Sequence, residues 1–199
     1  MQPKLWVERK PEETIEVYRD WAETYDKDVT DRGYHTPLRI AKALQGFRDQ
    51  ISGTILDFGC GTGISGAALR ASGFEPLHGS DITQEMLDLA EPKGIYEKLW
   101  CAEPGAVPAM PGDYGVIVAA GVISLGAAPA ETLSQCVDAM GAGGLIALSF
   151  NDPTLENGGY DAVLQNEVEA GRVEVLFREH GPHLDDMEMG SDVIVLRRK

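Results

Sequence analysis

One stretch of the chain carries residue types that could bind a nucleoside. Ile55-Leu-Asp-Phe-Gly-Cys-Gly-Thr-Gly63 supplies an acid, Asp57, followed by three glycines at alternate positions. Glycines let the backbone turn sharply and leave bare main chain against which a ligand can lie. Asp81 follows about 20 residues further on, where an acid can accept hydrogen bonds from both hydroxyls of a ribose. The pattern predicts a cofactor that contains a nucleoside.

Two classes of cofactor fit such a loop. Gly61-Thr-Gly-Ile-Ser-Gly66 matches the GxGxxG pattern of NAD-binding proteins. Against NAD, Asp57 stands beside the place where a pyrophosphate would rest, and a carboxylate repels an anion but attracts a cation. The chain also lacks a Tyr-x-x-x-Lys pair. About 130 residues after the loop leave little room for a separate substrate domain. These observations favour a cationic nucleoside over NAD.

Alternating strands and helices position the loop. From Gly53 onward, strands are expected at residues 54–58, 76–80, 98–101, 114–120, 144–150, 172–177 and 192–196. Helical patterns between most of them predict an α/β fold, a Rossmann-like doubly wound sheet of seven strands. The last two strands are joined by a loop too short for a crossover helix, so one of them should run antiparallel.

A helical extension precedes this core. Pro11 can open a helix whose apolar face carries Ile15, Tyr18, Ala22 and Tyr25. A second helix is expected with Thr36 as its N-cap. We expect one domain over residues 1–199, with residues 1–50 as a helical lid and 51–199 as the α/β core. Tyr25 and Tyr34 in the lid are candidate substrate-binding residues.

Three segments make the chain resemble a known family. Leu56-Asp-Phe-Gly-Cys-Gly-Thr-Gly63, His78-Gly-Ser-Asp-Ile-Thr-Gln-Glu-Met-Leu87 and Trp21-Ala-Glu-Thr-Tyr-Asp26 are similar to segments of the class I S-adenosylmethionine-dependent methyltransferases. Within them, the chain resembles small methyltransferase-like proteins of the Williams–Beuren region 27 type. The resemblance runs from about Tyr18 to the C-terminus. It implies a seven-stranded sheet with an antiparallel last strand and S-adenosylmethionine as cofactor.

The resemblance also implies roles for individual residues. Asp57 would orient the methionine end of the cofactor, Asp81 would hold the ribose hydroxyls, and Glu103 would meet the adenine amino group. Pro104 has no N–H for the adenine ring, so Ala102 is expected to supply a backbone donor instead. The remaining positions would pack around the cofactor: the loop residues Gly59, Cys60, Gly61 and Gly63, then Ile82 and Met86 on the adenine, and Ala120 beside the methionine moiety.

The amino-acid composition restricts the classes of molecule that the protein is expected to bind. Seventeen basic residues against thirty-two acidic ones give a net charge of −15, which disfavours nucleic acids and anionic membranes. Cys60, Cys101 and Cys136 form no CxxC or zinc-ligand pattern, so we expect no metal site and a reducing compartment. The charged N-terminus lacks an apolar leader, and the longest apolar run, 116–128, is too short to cross a bilayer. We expect a cytoplasmic protein.

The expected activity is methyl transfer to a small-molecule acceptor. Such a transfer depends on alignment and water exclusion, and a general base is needed only if the acceptor must lose a proton early. The sequence therefore singles out no catalytic residue. The pocket would be built by the N-terminal helices and residues 151–160. Two alternatives remain: an NAD-binding oxidoreductase, and a protein that binds S-adenosylmethionine without transferring its methyl group.

Overall fold

A seven-stranded sheet forms the centre of the protein over residues 5–199, which the computed structural model describes. The strands are β1 (Ile55–Phe58), β2 (Leu77–Asp81), β3 (Lys98–Cys101), β4 (Val116–Ala119), β5 (Leu145–Asn151), β6 (Val173–Leu184) and β7 (Met189–Arg198). Their order across the sheet is β3-β2-β1-β4-β5-β7-β6. The first five strands pair in parallel, and β7 runs antiparallel to both β5 and β6. The predicted fold is confirmed.

Helices cover both faces of the sheet. They are α1 (Pro11–Asp31), α2 (Thr36–Gln45), α3 (Ile64–Ala71), α4 (Gln84–Ala90), α5 (Thr132–Ala139), α6 (Asp152–Asn157) and α7 (Gly159–Glu169). Successive strand residues face opposite layers. Ile55 and Val116 pack with α2 and α3, whereas Leu56 and Ile117 pack with α5 and α7. Both faces are therefore apolar, as a parallel sheet requires.

The strand order reverses beside β1, which pairs with both β2 and β4. Ligands of open α/β sheets bind at such a switch point, beyond the carboxyl ends of the strands. The glycine-rich turn after β1 and Asp81 at the end of β2 both lie at this edge. The topology thus brings together the two features on which the sequence prediction depended.

Only part of the predicted lid covers this edge. α1 packs against α4 there, but α2 lies on the face of the sheet, where Ile40, Ala41 and Leu44 are buried against β1, β4 and β7. The assignment of all residues 1–50 to a lid is wrong for α2, because its apolar stripe completes the core. Residues 1–4 of that predicted segment lie outside the described residues.

Thr36 is not the N-cap of α2. His35 occupies that position, and the Thr36 hydroxyl lies inside the first turn, 2.7 Å from His183 Nδ1 and 3.0 Å from Ser191 Oγ. Arg39 adds hydrogen bonds to the carbonyls of Pro182, Ser191 and Glu179 and to Ser191 Oγ. We call Thr36, Arg39, His183 and Ser191 the hairpin junction. The strands β6 and β7 extend beyond their predicted ends because the additional residues of the hairpin form hydrogen bonds with α2.

Candidate cofactor and substrate cleft

A cleft of about 1090 Å³, counted with its open mouth, lies at the carboxyl ends of the strands beneath α1. Nine of the residues predicted from the sequence line it: Tyr25, Tyr34, Gly59, Gly61, Asp81, Ile82, Met86, Ala102 and Ala120. Four others, Asp57, Cys60, Gly63 and Glu103, do not line it. The structure therefore gathers most of the predicted site, and contact of these residues with a cofactor stays a prediction.

The turn after β1 presents bare backbone to the cleft at Gly61. Gly61 has a φ of +52°, and a Cβ built there would meet no protein atom within 4 Å. The left-handed conformation favours glycine, and the open space beside it is available to a ligand. Gly63 instead faces Ile95 and Tyr96. Cys60 is buried, with its sulfur 3.1 Å from the position a Cβ would take at Gly79 in β2, and burial raises the pKa of its thiol.

Asp57 lies behind the turn rather than on the cleft wall. Its Oδ2 accepts hydrogen bonds from Ser65 Oγ and Tyr96 OH, each at 2.7 Å. Its Oδ1 is buried and has no partner. Burial outweighs these hydrogen bonds and raises the pKa of the carboxyl to about 6. Through one oxygen, Asp57 thus joins the first turn of α3 to the segment before β3, and its other oxygen has no side-chain partner.

Asp81 does face the cleft. Its Oδ2 accepts the Gly61 N–H at 2.9 Å, and its Oδ1 accepts the Thr83 N–H at 2.8 Å. A carboxylate oxygen can accept more than one hydrogen bond, so both oxygens keep capacity for a ligand. Burial raises the pKa of this carboxyl. Asp81 therefore couples the end of β2 to the glycine turn and can hold two hydroxyls beside it.

The segment after β3 departs from the expected adenine contacts. The N–H of Ala102 donates to the carbonyl of Asp81 at 2.8 Å, so the expectation that it is a free donor is wrong. Glu103 is exposed, because its carboxylate is better hydrated in solvent than in an apolar wall. Pro104, Gly105 and Ala106 line the cleft in its place.

Three tyrosines roof the cleft: Tyr18, Tyr25 and Tyr34. Only Tyr25 and Tyr34 were predicted as site residues, although Tyr18 lies two helical turns before Tyr25 on the same face of the helix. Burial raises the pKa of Tyr18 to about 12 and also raises the pKa values of Tyr25 and Tyr34. All three phenols are therefore neutral at pH 7. The Tyr34 hydroxyl lies 2.8 Å from the position a Cβ would take at Gly121, just beyond β4.

Two sets of contacts fasten α1 across the cleft. Asp26 accepts hydrogen bonds from Thr62 Oγ1 in the glycine turn and from Lys93 Nζ, both at 2.5 Å. Before α1, Arg9 donates to the carbonyl of Gly126 at 3.0 Å. The lid is thus bonded to the turn after β1 at one end and to the loop after β4 at the other.

Several polar atoms of the cleft wall lack partners. Thr14 Oγ1, Ser80 Oγ and Gln135 Oε1 are buried and unpaired, and all three residues line the cleft. Sequence reasoning missed Thr14 and Gln135, since each looks like an ordinary helix residue. Among residues 5–199, Asp81 is the only charged side chain on the wall. The same range holds no group of three acidic, His or Cys side chains suited to a metal ion, nor a helix able to cross a membrane.

Comparisons with known proteins agree with this architecture. Human Methyltransferase-like protein 27 is 34% identical over 141 residues, which cover 68% of this chain and 56% of that protein. The chain thus spans little more than half the length of this relative.

Solved structures share the fold at low sequence identity. Magnesium protoporphyrin IX methyltransferase from Synechocystis PCC 6803, solved with bound SAH, has a TM-score of 0.67 and 15% identity, covering 92% of this chain and 99% of that one. A S-adenosylmethionine-dependent methyltransferase from Clostridium acetobutylicum scores 0.62 at 13% identity, covering 91% and 98%. The [4+2]-cyclase SpnF scores 0.59 at 14% identity and covers 81% of each chain.

A family model described as a methyltransferase domain matches residues 32–186. This range contains the glycine turn, Asp81, the loop after β4 and most of the sheet. Since the match spans well over half of the chain, the protein belongs to the methyltransferase domain family.

Proposed function

We propose that the protein binds S-adenosylmethionine and transfers its methyl group to a small-molecule acceptor. The observation that carries the proposal is the bare backbone at Gly61 beside the Asp81 carboxylate, both on the wall of one covered cleft. The whole chain acts as one catalytic unit, with α1 as its lid. The free thiols Cys60, Cys101 and Cys136 support a reducing, cytoplasmic site of action.

The residues present fit this cofactor. Asp81 has spare acceptor capacity for the ribose hydroxyls, and the open space at Gly61 admits a ligand against the main chain. The Asp57 carboxylate lies behind the glycine turn, where its charge favours a cationic ligand over a pyrophosphate. When bound, S-adenosylmethionine supplies a methyl group on a positively charged sulfur, which is already activated for transfer.

The chain's own residues contribute position and a dry environment. α1, bonded through Asp26 and Arg9, covers the cleft and excludes water. Tyr18, Tyr25 and Tyr34 remain protonated at pH 7 because burial raises their pKa values. They can donate hydrogen bonds to an acceptor but cannot remove its proton. Alignment of an acceptor that is already nucleophilic is therefore the main task of the site.

A small molecule suits the cleft better than a macromolecule. The lid leaves the reacting space beneath a helix instead of on an open surface. The net charge of −15 repels nucleic-acid backbones.

Calorimetry with the purified protein tests the cofactor. S-adenosylmethionine and its demethylated product, S-adenosylhomocysteine, are expected to bind with dissociation constants of at most about 100 μM, roughly −5.5 kcal/mol, whereas NAD should not bind. Binding of NAD alone would restore the oxidoreductase interpretation.

Transfer is tested with methyl-labelled cofactor and a metabolite pool separated from macromolecules. Label should move into the small-molecule fraction. Label in protein or nucleic acid would contradict the small-molecule acceptor. Binding without transfer to any fraction would indicate a protein that keeps the cofactor but performs no methylation.

A further inference from the structure

The adenine side of the cleft lacks the partners that family resemblance implies. Glu103 is exposed and off the wall, and the Ala102 N–H is committed to the Asp81 carbonyl. Pro104 has no N–H at all. In residues 102–104 the N–H donors are therefore committed or absent, and the acceptors left for a purine amino group are backbone carbonyls and the solvent-exposed Glu103 carboxylate. A buried side-chain acceptor on another element of the cleft wall could recognise that group instead.

The first turns of α5 lie beside this segment. Val107 and Ala109, which follow Pro104, pack against the apolar cluster to which Leu133 and Val137 of α5 also belong. At the far end, the backbone N of Gly112 lies 3.2 Å from the position of a Cβ at Gly141, just past α5. The two segments thus run side by side away from the cleft. Their upper ends, residues 104–106 and residues 132 and 135, line the cleft together.

Gln135 has the chemistry that the missing acid would have supplied. Its Oε1 is buried without a hydrogen-bond partner. A primary amide accepts through oxygen and donates through nitrogen at the same time. An adenine edge presents an amino donor next to a ring-nitrogen acceptor, and glutamine can pair with both. The last torsion of a glutamine is soft, so the amide can turn toward a ligand at little cost.

We infer that Gln135 recognises the adenine edge of the cofactor, with Oε1 accepting from the exocyclic amino group, in place of an acid after β3. This inference rests on the proposed function. It makes Gln135 a specificity-determining residue of the cofactor site. It also accounts for a buried acceptor that folding alone leaves unpaired.

The test measures binding by calorimetry rather than activity. The probes are S-adenosylhomocysteine and its 6-deamino analogue, which carries hydrogen in place of the amino group. The wild-type protein should bind the deamino analogue about ten-fold more weakly or worse. Gln135→Met keeps the side-chain length but removes the amide. It should bind S-adenosylhomocysteine about ten-fold more weakly than wild type and hardly distinguish the two probes.

Two control variants sharpen the result. Glu103→Ala removes the acid at the position implied by family resemblance, and Gln165→Met makes the same change on the exposed side of α7. Both should bind and discriminate like wild type. Melting curves should show Gln135→Met folded, because the lost oxygen makes no bond in the protein. If that variant does not fold, Gln135→Leu, which also removes the amide, should show the same weakened binding of S-adenosylhomocysteine and the same loss of discrimination.

The outcomes distinguish a failure of the role inferred for Gln135 from a failure of the proposed function. If Gln135→Met discriminates like wild type, the role of Gln135 is overturned while the proposed function stands. If Glu103→Ala loses discrimination instead, the acid after β3 is the partner and the inference is overturned. If wild type binds no S-adenosylhomocysteine, the proposed function fails and the inference fails with it.

Discussion

Buried polar groups are hydrogen-bonded to one another in the hairpin junction, whereas several of them are unpaired in the cleft wall. In the junction, the Thr36 hydroxyl is hydrogen-bonded to both the His183 ring and the Ser191 hydroxyl, and Arg39 also donates to Ser191 Oγ. In the cleft wall, Thr14, Ser80 and Gln135 each keep a buried atom unpaired. Unpaired buried polar groups cost stability. The difference indicates that the junction serves folding, whereas the cleft wall leaves polar atoms available to a ligand.

The largest expected effect tests the cleft half of this comparison. Gly61→Val should lower affinity for S-adenosylhomocysteine by a factor of at least about 100, or ~2.7 kcal/mol, because the side chain fills space that borders the cleft. Gly94→Val is the matched control, since Gly94 has a similar φ of +59° and also has no neighbour within 4 Å of a Cβ. Both variants should lose similar stability in thermal melts. Equal affinities for the two would contradict a ligand at Gly61.

Asp81→Ala should have the next largest effect. It removes charge-assisted hydrogen bonds to a ribose, and water replaces them in part, so affinity should fall about 10- to 100-fold. Stability should also drop by about 1 kcal/mol, because the Gly61 and Thr83 N–H groups lose their acceptor. Binding and melting are measured on the same samples, with exposed Asp88→Ala as control. Undiminished affinity in a folded Asp81→Ala protein would return Asp81 to a structural role.

The hairpin junction should lose stability as the pH falls. Burial, the largest cause, and the nearby Arg39 lower the pKa of His183 to about 4, although Asp152 acts in the opposite direction. The unfolded chain takes up this proton near pH 6.5, before the folded protein does. The His183 contribution is therefore fully present above pH 6.5 and is lost as pH falls toward 4. Between pH 7 and 5 the loss is roughly 2 kcal/mol.

Urea unfolding of wild type and His183→Gln at pH 7, 6 and 5 isolates this contribution. The difference between their free energies of unfolding should shrink as the pH falls. A difference that stays constant with pH would show that protonation of His183 does not change the free energy of unfolding.

One substitution made in both regions gives the smallest effects and the most direct comparison. Thr36→Val should cost about 1–2 kcal/mol, because it leaves junction groups without a partner. Thr14→Val should change stability by no more than about 0.5 kcal/mol, since the Thr14 hydroxyl bonds nothing. Chemical denaturation measures both. Similar losses for the two variants would erase the proposed distinction between the regions.

The sequence predicts the architecture well because its signals are local. The apolar strands, the glycine turn after β1 and Asp81 at the end of β2 each depend on a few neighbouring residues. The surroundings of Ala102 and Glu103 are harder to predict from the sequence. The hydrogen bond of the Ala102 N–H and the exposure of Glu103 both depend on residues distant in the chain. Thr36 stands where an N-cap is expected, but its hydroxyl bonds His183 and Ser191 of the β6–β7 hairpin, which are far from it in the sequence.

Gln135 shows the same limit within the candidate site. Its position on α5 is predictable, but its unpaired oxygen depends on what packs around it. The placement of α2 on the sheet face is a similar case. A helical pattern marks an apolar stripe without saying which surface it covers.

The contact between Asp26 and Thr62 links two events that might otherwise be independent. Moving α1 away to admit or release a molecule breaks a bond to the very turn that bears Gly61. By reciprocity, a ligand that steadies the turn also holds the helix down, and it does so by the same free energy with which the closed helix retains that ligand. A ligand bound beside Gly61 is therefore expected to slow the opening of α1 and so the entry and release of other molecules. The residence time of a ligand at Gly61 is expected to be shorter in Asp26→Ala, which removes the acceptor of the Thr62 hydroxyl, than in the wild-type protein.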